Sequence, residues 1–275
     1  MGRRILATVL FVTLAAGAFA AGASAQPQSP DQQIYETFRA WIGQQPRAVQ
    51  ESADVLEQYR AKLVKDGVSP ANADRQIRVI NEQADRLEVE RWNQILTSQK
   101  PAFNTQPNAF LVRMVQGRKP GRALDVGMGQ GRNAVFLASQ GWNVTGFDPA
   151  DRAVAAANQA AQARGLKLTT QIVGSEQFNF GRNQWDLIVL SYVSFREELQ
   201  KIIESLAPGG MVVVEGFHRD TTAKRPVGGG VVFDTNELLT LFAPLRVVQY
   251  EDLEGPTDFG IGEPNRLVRL AAVKP

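Results

Sequence analysis

Three glycines at alternate positions, Gly127, Gly129 and Gly131, lie where a predicted strand turns into a predicted helix. A short apolar run precedes them, and residues 133–138 continue with apolar residues at helical spacing. Because glycine has no Cβ atom and permits positive φ angles, a ligand could lie against the bare main chain of this turn. The first amide groups of the following helix would point at the same place. The turn is therefore a candidate ligand site.

An acidic residue, Asp148, ends the next apolar run, Val144–Phe147. It lies about 20 residues after Gly127, the distance at which an acid in such a unit accepts both hydroxyl groups of a ribose. Strand, turn, helix and second strand together form a βαβ half-unit of an open α/β sheet. The spacing therefore predicts a nucleoside-containing cofactor.

The residue that follows the third glycine helps to identify the cofactor. A dinucleotide fingerprint needs glycine or alanine three positions after Gly129, and this chain has Arg132 there. The run Asp125-Val-Gly-Met-Gly-Gln-Gly131 instead resembles motif I of class I S-adenosylmethionine-dependent methyltransferases, Asp-x-Gly-x-Gly-x-Gly. The turn Leu206-Ala-Pro-Gly-Gly210, which precedes a β-branched run, is a further match to that family. The resemblance extends over about residues 103–273.

Two segments are most similar to the tellurite-resistance type and related small-molecule methyltransferases: Gly129-Gln-Gly-Arg-Asn133 and Gly141-Trp-Asn-Val-Thr-Gly-Phe-Asp148. The resemblance implies S-adenosylmethionine as the cofactor, a small molecule as the methyl acceptor, and Asp125 facing the cofactor's amino-acid end. Members of the family commonly carry an aspartate just after the third strand, positioned for the adenine amino group. This chain has glycine, Ser175 and Glu176 there, so one of these two side chains would be the acceptor.

The predicted cofactor-binding residues come from the motif, its spacing and the strand ends. They are Asp125, Gly127, Met128, Gly129, Asp148, Pro149, Ser175, Glu176 and Ser191. Ser191 belongs to the set because it follows the apolar strand Trp185–Leu190, and ligands of open α/β sheets bind outside the carboxyl ends of the strands.

The implied chemistry is methyl transfer from a sulfonium, whose methyl group is electrophilic. A soft acceptor such as a thiolate or a reduced chalcogen needs no base, whereas an oxygen or nitrogen acceptor usually does. Two candidate bases follow predicted strands: Tyr192, and the only histidine, His218, with Glu215 three residues before it. The sequence assigns no catalytic residue. Two alternatives remain, an exported non-catalytic nucleoside-binding protein and a nicotinamide oxidoreductase, which Arg132 disfavours.

The composition excludes several classes of site. The 275-residue chain has no cysteine, so disulfides, thiol catalysis and thiolate metal sites are ruled out. With one histidine as well, no metal site is predicted. The formal net charge of +2 provides no basic field for nucleic acid, so no nucleic-acid partner is predicted.

Residues 1–25 have the features of a secretory signal peptide. Two arginines, Arg3 and Arg4, precede an apolar stretch, and Ala23-Ser-Ala25 precedes a segment rich in glutamine, proline and serine. The sequence predicts cleavage after Ala25 and export to the periplasm or beyond, with no stable membrane span afterwards. The alternative is an uncleaved leader that anchors the protein, although its alanine and threonine content makes a permanent span marginal. Export conflicts with a cofactor that is made in the cytosol.

Residues 26–100 are predicted to form a helical region. Apolar residues recur at helical spacing from Asp31 to about Leu96, and Ser69-Pro70 marks a helix start. This apolar stripe would pack on itself, on the sheet domain or on another subunit. The helices are therefore candidates for self-association.

Residues 101–275 are predicted to form the S-adenosylmethionine-binding domain, a Rossmann-like, doubly wound sheet of seven mostly parallel strands. The connection Gly255–Asn265 has no room for a crossover helix, so the last strand should be antiparallel. Candidate cleft residues before the first strand are Phe103, Asn104 and Asn108. In the last connection, Asp258-Phe-Gly260 imitates a kinase signature, but it is interpreted as chance because its companion motifs are missing.

Overall fold

The computed structural model describes residues 29–46, 49, 52, 54–223, 229–259 and 264–275. The predicted signal peptide, residues 1–25, lies outside this part of the chain. The chain divides into two compact units, Met1–Glu90 and Arg91–Pro275, and the domain limits predicted from the sequence stay predictions. Within the described residues, no helix combines the length and the apolar character that crossing a bilayer requires.

The first unit is helical because its caps and its apolar spacing agree. Its helices are α1 Pro30–Gly43, α2 Val55–Lys65 and α3 Pro70–Leu96, of which α3 continues into the second unit. Proline occupies the first position of α1, and the Ser29 side chain accepts a hydrogen bond from the Gln32 amide. Helix α3 begins at Pro70, as the sequence predicted.

The apolar stripe of these helices packs on itself within the first unit. Tyr59 of α2 lies against two aromatic residues of α1, with ring centroids 5.1 Å from Phe38 and 4.8 Å from Trp41. Ile80 and Ala84 of α3 are buried in the same cluster. Self-association through these helices stays a prediction.

The second unit contains a sheet of the predicted type. Its strands are β1 Arg122–Val126, β2 Asn143–Phe147, β3 Thr169–Gln171, β4 Trp185–Ser191, β5 Leu206–His218, β6 Val232–Phe233, β7 Arg246–Gly255 and β8 Asn265–Val273. Their order is β3-β2-β1-β4-β5-β8-β7, and the short β6 pairs with β5. Strand β8 is antiparallel to both neighbours, and the other pairs are parallel. The predicted antiparallel last strand is confirmed.

Helices cover both faces of this sheet. They are α4 Ala109–Val115, α5 Arg132–Ser139, α6 Asp151–Gln162, α7 Leu199–Ser205 and α8 Glu237–Leu241. Side chains alternate between the faces along each strand. Apolar residues of α4, α5 and α6 pack on the face that carries Ala123, Leu187 and Val213. Residues of α7 and α8 pack on the opposite face, which makes the sheet doubly wound.

The observed elements differ from the predicted ones mainly at their ends. Strand β3 is limited to the three residues Thr169–Gln171. The predicted turn at residues 206–210 lies inside β5, where the pairing with β4 shifts register between Trp185 and Leu187. The proline and glycines of this turn therefore form an irregularity in the β4–β5 pairing rather than a break before the strand.

Candidate functional site

The glycine turn connects β1 to α5 and has the left-handed backbone that its sequence requires. The φ angles are +61° at Gly127, +54° at Gly129 and +79° at Gly131. Such angles are costly for residues with a Cβ atom. The Met128 amide donates to the Phe147 carbonyl over 3.0 Å, which ties the turn to the end of β2.

Side chains border this turn, and the reason for each glycine differs. A Cβ atom on Gly131 would lie 2.6 Å from the Ala157 Cβ atom, so this glycine permits the close packing of α5 on α6. That corrects the expectation that all three glycines serve a ligand. At Gly127 the nearest atom would be a Val193 methyl group at 2.8 Å, and at Gly129 a Leu96 methyl group at 3.2 Å.

Asp125 lies in β1 just before the turn and is 2 % exposed. Its Oδ2 atom has no hydrogen-bond partner within the described structure. Burial raises the pKa of Asp125 to about 7, although the Arg132 charge and the Ala134 amide oppose this rise. A buried carboxylate with an unused oxygen is suited to a cationic or hydrogen-bond-donating group of a ligand.

Asp148, at the end of β2, is 7 % exposed and holds the glycine turn in place. Its Oδ2 atom accepts from the Gly129 amide over 3.0 Å, and its Oδ1 atom accepts from the Ala150 amide over 2.8 Å. Burial raises the pKa of Asp148, and the two amides oppose the rise. Each carboxylate oxygen has a second acceptor position, so the predicted contact with ribose hydroxyls stays a prediction.

The structure distributes the other predicted cofactor residues more widely. The Met128 side chain is buried and its sulfur atom lies directly over Gly146, so it packs on β2. Ser191 ends β4, and its Oγ atom accepts from Arg132 Nη2 over 3.3 Å. The turn after β3 holds Ser175, which is half-buried, and Glu176, which is exposed.

A row of polar residues crosses the sheet beyond the end of β1, on the same face as Asp125. Ser191 is in register with Glu215, Glu215 with Arg269, and Arg269 with Glu251. The Arg269 guanidinium donates to Glu215 Oε2 over 2.6 Å and to Glu251 Oε2 over 3.1 Å. Opposite charges therefore alternate along the row, which offsets the cost of burying them.

Tyr192 directly follows β4 and bonds to this polar row at the carboxyl ends of the parallel strands. It has a left-handed backbone, with φ of +55°, and its hydroxyl donates to Glu215 Oε1 over 2.6 Å. Burial and the negative charges of Glu215 and Asp258 hold the pKa of Tyr192 well above its usual value. The phenol therefore stays protonated and acts as a hydrogen-bond donor.

Asp258 is the main site residue that the sequence analysis missed. Its Oδ2 atom accepts from Arg132 Nη2 over 2.6 Å and from the Asn108 side-chain amide over 2.7 Å. Its Oδ1 atom accepts from the Asn104 side-chain amide over 3.0 Å. We call Arg132, Asp258, Asn104 and Asn108 the Asp258 clamp. The kinase likeness of Asp258-Phe-Gly260 is still interpreted as chance, but the sequence predicted no role for Asp258 itself.

The Asp258 clamp is buried and charged. The Arg132 and Asp258 side chains are each 9 % exposed. Burial would raise the pKa of Asp258, but the hydrogen bond and charge of Arg132 and the two asparagine amides lower it below its usual value. Asp258 therefore stays ionised and fully engaged. No spacing in the sequence indicates this role, because the partners of Asp258 lie 126 to 154 residues away along the chain.

The candidate cleft residues before α4 close onto Asp258 and its neighbour. Asn108 caps α4 by accepting from the Leu111 amide, and it also belongs to the Asp258 clamp. Phe103 is buried, and its ring centroid lies 5.6 Å from that of Phe259. These residues therefore join the segment before α4 to the β7–β8 connection, across the carboxyl edge of the sheet.

His218 does not form the predicted pair with Glu215. The two residues are three positions apart in β5, so their side chains lie on opposite faces of the sheet. His218 is 4 % exposed, its Nδ1 atom accepts from the Asp220 amide over 3.1 Å, and its Nε2 atom lies 3.0 Å from Thr235 Oγ1. Both ring nitrogens therefore face polar partners on the side of the sheet away from Glu215.

Comparison with known proteins shows which family the chain resembles. The family model described as "Tellurite resistance protein TehB" matches residues 100–267. A probable S-adenosyl-L-methionine-dependent methyltransferase TehB of Haemophilus influenzae is 26% identical over 143 residues, which cover 50% of each chain. A 2-heptyl-1-hydroxyquinolin-4(1H)-one methyltransferase of Mycobacteroides abscessus is 29% identical over 133 residues, 45% of this chain and 59% of that one. The chain thus spans about half the length of the curated relatives that it matches.

Solved structures share the fold. The crystal structure of TehB from Haemophilus influenzae has a TM-score of 0.54 at 20% identity, over 61% of this chain and 62% of that one. The N-methyltransferase NodS from Bradyrhizobium japonicum, in complex with S-adenosyl-l-homocysteine, has a TM-score of 0.53 at 21% identity, over 70% of this chain and 98% of that one. At these identities the likeness confirms the Rossmann-like fold predicted from the sequence.

Proposed function

Because the chain belongs to the family of the tellurite resistance protein TehB, we propose that it is an S-adenosylmethionine-dependent methyltransferase that acts on a small-molecule acceptor. Relatives described as S-adenosylmethionine-dependent methyltransferases support the cofactor and the reaction type. The single observation that carries the proposal is the Oδ2 atom of Asp125, which is buried just before the glycine turn and has no hydrogen-bond partner within the described structure.

The residues present fit the cofactor. Asp125 would face its ammonium group, since a buried carboxylate with a free oxygen is stabilised by a cation. Gly127 and Gly129 would offer main chain to its amino-acid end, and Asp148 would accept from the ribose hydroxyls with the second lone pair of each oxygen. The bound cofactor supplies an electrophilic sulfonium methyl group, and the protein supplies alignment.

Alignment is the main contribution that this chain can make. Correct placement of two reactants can lower a barrier by roughly 7 to 11 kcal/mol. The Asp258 clamp and Tyr192 lie at the carboxyl ends of β4 and β5, where an acceptor would approach. Both are rigid because their polar atoms are buried and bonded, so they would exclude water and orient the acceptor.

The same bonding indicates what kind of acceptor suits the site. Glu215 accepts from Tyr192 and Arg269, and Asp258 accepts from three donors of the Asp258 clamp. To take a proton, either carboxylate would first have to lose strong hydrogen bonds, and Tyr192 stays protonated. We infer that the acceptor is a nucleophile that needs no base, such as a thiolate or a reduced chalcogen.

Methyl transfer can be measured directly. The purified protein is incubated with methyl-labelled S-adenosylmethionine and with thiol, chalcogenide, phenol and amine acceptors. We expect label in the thiol or chalcogenide product and loss of transfer in Asp148→Ala. Asp186→Ala is the control, because Asp186 lies at the opposite ends of the strands, and it should change transfer little. Transfer to none of the acceptors would contradict the proposed activity, and transfer to amines alone would contradict the inferred acceptor.

We also propose that the protein is exported, on the strength of residues 1–25, which lie outside the described part of the chain. Cell fractionation with antibody detection tests this: export expects the processed chain outside the cytosol, and an unprocessed cytosolic chain would contradict it. No observation favours the exported non-catalytic alternative over an enzyme.

A further inference from the structure

Helix α6, which follows the Asp148 loop, has no capping side chain of its own. The residue at its cap position is Ala150, which has no acceptor to offer to the first amides of the helix. Asn93, near the end of α3, supplies the acceptor instead. Its Oδ1 atom accepts from the Arg152 amide over 2.9 Å and from the Ala153 amide over 3.4 Å.

The fit of Asn93 is specific. Its side-chain amide donates to Asp151 Oδ1 over 2.7 Å, so both ends of the side chain are bonded, and the residue is 3 % exposed. An asparagine that caps a helix from about sixty residues away pins two segments together rather than one. The pinned segments are the end of α3 and the start of α6, both in the second unit.

The start of α6 sets the position of Asp148. Only Pro149 and Ala150 separate them, and the Ala150 amide donates to Asp148 Oδ1 over 2.8 Å. Proline also restricts the backbone between them. A displacement of the first turn of α6 therefore moves the carboxylate that is assigned to the ribose.

The same helix end reaches the glycine turn. Leu96 lies about one helical turn after Asn93, and two of its methyl carbons would be 3.2 and 3.3 Å from a Cβ atom on Gly129. A ligand that lies on the main chain of Gly129 would therefore border on the Leu96 side chain. The end of α3 thus contacts both elements that are assigned to the cofactor, the Asp148 loop and the glycine turn.

We propose that residues 93–96 are part of the cofactor site: Asn93 is a positioning residue for Asp148, and Leu96 forms an apolar wall beside Gly129. The inference rests on the proposed function, since it assigns these residues to the binding of S-adenosylmethionine. It adds a second contact region that the glycine motif does not contain.

Calorimetric titration with S-adenosylhomocysteine tests this inference. Asn93→Ala and Leu96→Ala are each expected to weaken binding by roughly fivefold or more, the effect of losing one cap or one apolar contact. Asn158→Ala is the matched control, because this exposed asparagine lies in α6 and bonds only to Thr170 in the described contacts. It is expected to leave the affinity unchanged.

Hydrogen exchange of the ligand-free proteins gives a readout that does not depend on the cofactor. Asn93→Ala should speed exchange at the Arg152 and Ala153 amides, whereas Leu96→Ala should not, because it keeps the cap. Leu96→Ala also keeps the test open if Asn93→Ala fails to fold. Wild-type affinity in both folded variants would overturn the inference alone. Failure of the wild-type protein to bind S-adenosylhomocysteine would overturn the proposed function, and this inference with it.

Discussion

Replacement of Asp258 by alanine is expected to destabilise the protein strongly, because it leaves the Arg132 guanidinium buried without its carboxylate. The two side chains are 2.6 Å apart and each is 9 % exposed, so little solvent screens the charge that remains. Removing one partner of such a pair costs about 3–5 kcal/mol of unfolding free energy. Asn104 and Asn108 would also lose the oxygens to which they donate.

Urea unfolding of the full chain, followed by far-ultraviolet circular dichroism, measures this loss. Asp234→Ala is the matched control, since its ion pair with Arg219 is more than half exposed on both sides and should therefore contribute little to stability. Replacing both members of the buried pair, Arg132→Met with Asp258→Leu, should restore most of the stability, because no unpaired charge remains.

The result that would refute this reasoning is a small effect at the buried pair. If Asp258→Ala lost no more unfolding free energy than Asp234→Ala, the Asp258 clamp would be open or hydrated in solution. If the double replacement were as unstable as Asp258→Ala, the loss would come from packing rather than from an unpaired charge. Either outcome would contradict the proposal that a rigid Asp258 clamp orients the acceptor.

Three further predictions follow from the site. Burial raises the pKa of Asp125 from 3.8 to about 7, so the ligand-free protein should lose stability as pH rises from about 4 to 7, by on the order of 4 kcal/mol from this group. Urea unfolding at several pH values should show that Asp125→Asn lacks this loss. Parallel pH profiles of the two proteins would contradict the prediction. Gly131→Ala should cost more unfolding free energy than Gly165→Ala. Both glycines have left-handed backbones, but only a methyl group at position 131 would clash with a neighbouring helix. Equal losses of unfolding free energy would show that α5 and α6 can move apart. Tyr192→Phe should cost about 1–2 kcal/mol of unfolding free energy through its lost hydrogen bond, yet it should reduce the rate of methyl transfer less than tenfold. A hundredfold or larger fall in that rate would mean that the phenol takes part in proton transfer.

The sequence was sufficient for the fold because each local signal agreed with the topology. The glycines between Asp125 and Arg132 had to form a turn, and the apolar strand Trp185–Leu190 had to be buried on both faces. The short last connection, Gly255–Asn265, required an antiparallel strand. Strand ends were harder to place, because the residues of the β5 turn also pair with β4 across a register shift.

The site was predictable only in part because local motifs report only nearby contacts. The motif predicted Asp125, Gly127 and Gly129 as site residues, and its spacing predicted Asp148, which the structure bonds to the Gly129 amide. Long-range partners left no trace: nothing in the order of residues links Asp258 to Arg132, or Asn93 to the start of α6. A polar residue in a connection was therefore left out of the predicted site, because its role depends on partners that only the fold brings together.

The fate of His218 shows the opposite error. Its position at the end of β5 suggested a base beside Glu215, but the alternation of the strand puts the two side chains on opposite faces. The parity of their spacing could have excluded the pair from the sequence alone. What the sequence could not show is that both ring nitrogens are engaged by Asp220 and Thr235.

Calorimetric titration with S-adenosylmethionine and, separately, with NAD tests the central claim most directly. We expect the wild-type protein to bind S-adenosylmethionine and not NAD. Asp148→Ala should weaken the binding of S-adenosylmethionine at least about tenfold, because it loses two ribose hydrogen bonds. Asp186→Ala should bind like the wild type. Binding of NAD in preference to S-adenosylmethionine, or undiminished affinity in Asp148→Ala, would contradict it.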